Sequence, residues 1–70
     1  MKYTIDEARK STAMYLVPEQ VGPLTHCAPQ YIRIMARERP ERLPYMVMVS
    51  GDHVKIPRKP FLRWWQDTFG

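Results

Sequence analysis

Apolar residues along this chain recur at two spacings, and the change between them falls at about Pro44. Stepped at about 100° per residue, Tyr31, Met35, Ala28, Ile32 and Ala36 fill one side of a helix. Gln30, Arg33 and Arg37 fall in line on the other side, with Ile34 beside them. Beyond Pro44 the period shortens. Tyr45 to Val49 is apolar and partly β-branched, Ser50-Gly51-Asp52-His53 is rich in turn formers, and Val54-Lys55-Ile56 alternates. This pattern predicts a β-hairpin of two short strands.

Prolines set the remaining boundaries. Pro18 suits a helix start, because its missing N–H costs nothing in the first turn. Pro23 then keeps that helix short or irregular, from Pro18 to about Thr25, with Val21 and Leu24 inward. A turn through His26 and Cys27 leads to a second start at Pro29, with Ala28 as a poor cap. Pro40 disfavours helical geometry in the residue before it, so the second helix should end near Arg39. Thr4 and Glu7 have capping-box spacing, which predicts a further helix from Ile5 to about Thr12. Pro57 or Pro60 opens a last helix that reaches about Phe69. It carries Phe61, Leu62, Trp64, Trp65 and Phe69 on one side, spaced as core residues. Met35, Met46 and Met48 also read as core or gap filler.

The net charge is +4, and its location matters more than its size. Residues 1–27 are balanced, whereas residues 28–63 hold eight basic side chains against Glu38, Glu41 and Asp52. A localised surplus of this kind fits a polyanion binder, and it also fits a surface that is merely well solvated. The stripe on the second helix has the same two readings. As a DNA reader, arginine bonds guanine O6 and N7, and glutamine pairs with adenine N6 and N7. Ile34 could then touch a thymine methyl. Arg42, Lys55, Arg58 and Lys59 are candidates for phosphate contacts. His53, near the hairpin tip, reads first as a solvent-exposed turn residue and second as a probe of the minor groove.

Other chemistry has little support. Cys27 is the one cysteine, so no internal disulfide forms. His26 and Cys27 lack a second ligand pair for a metal and a third group for nucleophilic catalysis. Neither paired carboxylates in a cleft nor a glycine-rich phosphate loop can be read here, so an enzyme, a cofactor and a metal are not expected. No run is long enough to span a bilayer and no signal peptide is evident. The expected location is the cytoplasm, in association with the nucleoid.

The order of short helix, turn, arginine-bearing helix and hairpin, closed by "KIPRKPFLRWW", resembles the excisionase-like and MerR-like winged helix-turn-helix domains. The matching stretches are "YLVPEQVGPL", "APQYIRIMARERPERLPY", "VMVSGDHVKIP" and "RKPFLRWW", which cover about Tyr15 to Gln66. Pro23 and Ala28 depart from the family pattern. The resemblance implies an α+β fold: a small winged helix-turn-helix with two short helices, a two-stranded hairpin wing and a C-terminal helix. Residues 15–70 would form that domain, and residues 1–14 an N-terminal extension with a short helix. It also implies an accessory DNA-binding factor of a phage or integrative element, an excisionase that directs a tyrosine recombinase (integrase). Cooperative self-association on double-stranded DNA would accompany that role. The alternatives are a small transcription regulator with the same fold and an adaptor module that binds protein without DNA.

Overall fold

Thr4 opens the first helix as its spacing to Glu7 predicts. Its hydroxyl accepts the Glu7 N–H at 3.3 Å, and helix α1 runs over Ile5–Lys10. The helix stops short of Thr12 because Ser11 is extended, and the Ser11 hydroxyl accepts the Ala13 N–H at 3.1 Å, which turns the chain away. The computed structural model describes residues 3–70; Met1 and Lys2, the start of the expected extension, lie outside the described residues.

The next element corrects the expected fold. Tyr15–Leu16 form a strand, β1, which pairs antiparallel with a later strand through Tyr15–Pro57 and Leu16–Ile56. The hairpin strands are β2, Met48–Ser50, and β3, His53–Pro57, so the sheet has three strands in the order β1-β3-β2, not two. Two residues are too few to reveal an alternation in sequence. The first hairpin strand is also shorter than expected, since Tyr45–Val47 lie outside it. Ser50 pairs with His53 across Gly51-Asp52, and Gly51 has a φ of 59°. A positive φ at the first turn position alone is the type II′ pattern, which glycine adopts without steric penalty.

Between the strands stand two packed helices, α2 (Pro18–Thr25) and α3 (Pro29–Glu38). Pro18 and Pro29 each occupy the helix start, as their missing N–H groups favour. Pro23 lies inside α2, one turn from its end, and removes one hydrogen bond. His26 closes α2 in the left-handed region at φ 58°, and the Cys27 N–H returns to the Gly22 carbonyl at 3.1 Å. A Cβ at Gly22 would lie 2.7 Å from the Cys27 carbonyl oxygen, so this turn requires glycine there. A single 3-10 turn, Pro40–Arg42, follows α3, and α4 spans Arg58–Phe69.

Every layer contributes to one core: Ala8 from α1, Leu16 from β1, Val21 and Leu24 from α2, Ile32 and Ala36 from α3, Val54 and Ile56 from β3, and Phe61 from α4. Fully burying Phe61 contributes roughly 1.5–3 kcal/mol. Tyr45 is buried too and meets Phe61 edge-on at 5.2 Å and Trp64 at 5.1 Å between ring centroids. Trp65 is half-buried and donates its indole N–H to the Leu24 carbonyl at 3.1 Å, joining α4 to α2. Some residues expected inside are outside. Tyr31 and Ala28 are exposed because α3 is covered on a narrower arc, and Met48 because β2 lies at the sheet edge; Met46, before β2, and Phe69, at the end of α4, are exposed as well. The chain is thus, among the described residues, a small α+β domain of four α-helices and a three-stranded antiparallel sheet.

Candidate nucleic-acid interface

Helix α3 owes its position to Ile32 and Ala36, which bury one side against the core and turn the other outward. On the outward side Gln30, Ile34 and Arg37 are exposed, and Arg33 is half-exposed. Arg33 and Arg37 are one turn apart, so their side chains are neighbours on the helix surface. Two residues of the row are held by other elements. Arg33 forms an ion pair with Glu19 of α2. Arg37 donates from Nη1 to the Gly51 carbonyl in the hairpin turn at 3.3 Å. Both contacts are open to solvent, so both can exchange for a ligand.

Glu19 belongs to this surface and was not among the candidates from sequence. Tyr31 is 48% exposed but lies about 160° round the helix from Arg33, on the side of Tyr45. It lies at the margin of the apolar arc, where helical projection alone does not separate core from surface. Nothing in the sequence places Glu19 opposite Arg33, since that depends on how α2 and α3 cross.

The other expected contacts are divided. Arg42 is exposed in the 3-10 turn after α3. His53 and Lys55 alternate with the buried Val54, so the pleat turns both to the sheet face opposite the helices. The Lys55 ammonium lies 5.5 Å from the Tyr15 ring centroid on that face. Lys59 is exposed in the first turn of α4. Arg58 does structural work: its Nε donates to the Ala13 carbonyl at 2.7 Å and its Nη1 to the Ala8 carbonyl at 3.2 Å. Its backbone N–H donates to the Met14 carbonyl at 2.9 Å, prolonging the β1–β3 ladder. These bonds fasten the segment before β1 to α4, and two of the five Arg58 side-chain N–H donors are engaged within the chain.

Burial has one clear electrostatic effect. It pushes the Tyr45 phenol up to about 12, with Cys27 nearby adding to the shift. Cys27 is half-buried and sits 3.5 Å from the Thr25 carbonyl, as a small apolar group packed at the core edge. Among the described residues, no three His, Cys, Asp or Glu side chains gather to hold a metal ion. Among the same residues, no helix is long and apolar enough to cross a membrane. No family model, curated protein or solved structure matches the chain.

Proposed function

We propose that the chain is a small winged helix-turn-helix that binds duplex DNA. In this reading α2 and α3 are the helix pair, α3 enters the major groove, and the β2–β3 hairpin is the wing. The carrying observation is the row Gln30, Arg33, Arg37 on the outward side of α3, joined to the hairpin tip by the Arg37–Gly51 bond. A helix of this width fits the major groove, and arginine and glutamine have the donor geometry to read guanine and adenine. Ile34 adds apolar contact for thymine methyl groups. Arg42, exposed in the 3-10 turn after α3, supplies a phosphate contact at the edge of the footprint.

One domain of this size makes a small interface, so useful affinity calls for adjacent copies on DNA or a partner protein. The resemblance to excisionase-like domains makes a tyrosine recombinase that partner and DNA excision the process. The same surface serves a small transcription regulator equally well, and the two roles share every contact named here.

The test is selection of duplexes from a randomised pool on the immobilised protein, followed by competition between the enriched and scrambled duplexes. The reading expects a recurrent sequence that outcompetes its scrambled form, with affinity falling as salt rises. Failure to enrich any duplex, or equal competition by scrambled DNA, would overturn sequence reading by α3.

A further inference from the structure

We propose that the sheet face opposite the helices is a second docking surface, made for an acidic protein segment that carries one large apolar side chain. This inference does not rest on the DNA reading: α3 takes no part in it, although Met48, Lys55 and Pro57 belong to the β2–β3 hairpin.

The observation is a cleft of about 440 Å³ between the 12–15 segment and the start of α4. Met14, Tyr15, Met48 and Pro57 form its apolar floor, and Arg58 and Lys59 stand at its edge. Met14 is 75% exposed and Met48 46%, so this apolar area meets water directly. The flexible thioethers of Met14 and Met48 adapt to varied apolar partners.

Charge specifies the occupant. Lys55 lies over the Tyr15 ring, which brings a third cation to the cleft. No acidic residue lines the cleft, and among the described residues Lys55, Arg58 and Lys59 form no ion pair. An apolar floor with an unneutralised cationic edge complements a segment that is apolar at its centre and acidic around it. A phosphate backbone would use the cations and gain nothing from the methionines. A stacked base would compete with the Lys55 ammonium for the face of Tyr15.

The test is selection of random dodecapeptides displayed on phage against the folded chain, with anisotropy measurements on the enriched peptides. The expected peptides place Asp or Glu around Phe, Leu, Trp or Met. Their affinity should fall at least about tenfold in Met48→Glu and in Lys59→Glu, as for loss of an interface anchor, and stay unchanged in Arg37→Ala. Both altered positions are exposed, so wild-type melting temperatures are expected; Met14→Glu supplies the same reading should either variant melt early. Lack of any enriched peptide would overturn the proposal. So would peptides without acidic residues, or affinity that survives these substitutions. Stronger displacement by labelled oligothymidylate, lost in the same variants, would assign the face to nucleic acid and overturn it as well.

Discussion

The Arg37 guanidinium donates to the Gly51 carbonyl at 3.3 Å, so the outward row of α3 and the tip of the hairpin are tied by one exposed hydrogen bond. The bond links α3 to the turn between β2 and β3. It sets the hairpin turn beside the helix without burying the arginine, and the guanidinium keeps further donors for a ligand.

Removing that side chain separates structure from recognition. Arg37→Ala should change unfolding free energy by no more than about 1 kcal/mol, since an exposed hydrogen bond has a small net value. The same substitution should weaken binding to an enriched duplex by about 1–3 kcal/mol if the arginine pairs with guanine. Urea unfolding and duplex competition on one preparation measure the two effects. Equal weakening on enriched and scrambled duplexes would reduce Arg37 to a phosphate contact.

Arg58 should behave in the opposite way. Its two side-chain bonds reach the Ala8 and Ala13 carbonyls, and the residue is half-buried. Arg58→Ala should destabilise the domain by roughly 1–3 kcal/mol, as for hydrogen bonds from a charged donor. For a chain of this length that lowers the melting temperature by about 4–8 °C for each kcal/mol. Hydrogen exchange should accelerate first in α1 and at Ala13–Tyr15, because those are the segments the arginine fastens.

The glycines at 22 and 51 make a matched pair. At Gly51 a Cβ would meet nothing within 4 Å, but φ is 59°, so Gly51→Ala carries conformational strain alone, about 1 kcal/mol. At Gly22 the Cβ would press on the Cys27 carbonyl at 2.7 Å, and the α2–α3 turn would have to open. Gly22→Ala should therefore cost more than Gly51→Ala, and thermal melts of the two variants decide the order.

Tyr45 gives the fold a sensitivity to alkali. Burial raises its folded value from 10.0 to about 12, so the folded state holds the phenol proton more tightly than the unfolded chain does. The contribution is complete below pH 10 and is lost as pH rises towards 12. A shift of about two units corresponds to roughly 2–3 kcal/mol. Tyr45→Phe should remove this part of the slope, seen as a flatter decline of the urea midpoint above about pH 9.5.

Legibility in the sequence followed the strength of local signals. Prolines at 18, 29 and 40 fixed the limits of α2 and α3 because each forbids a specific hydrogen bond or backbone angle. Gly51 and the alternation of Val54 and Ile56 fixed the hairpin. Strand β1 was hidden because two residues carry no period, and its existence depends on the edge of β3. Burial failed in the same manner. Met46, Met48 and Tyr31 are apolar enough for a core, but which of them is covered depends on helix and strand packing. In the candidate site the row on α3 was legible as a helical face. The roles of Glu19 and Arg58 were not, since each acts across a long gap in sequence.

The central claim is that the outward side of α3 meets duplex DNA. Amide chemical-shift mapping of the labelled protein, titrated with an enriched duplex, tests it most directly. The account predicts the largest shifts at Gln30, Arg33, Ile34 and Arg37 and in the turn at Gly51 and Asp52, with Leu16 and Phe61 little changed. Shifts concentrated on the face of Tyr15, Met48 and Lys59, with α3 silent, would contradict it.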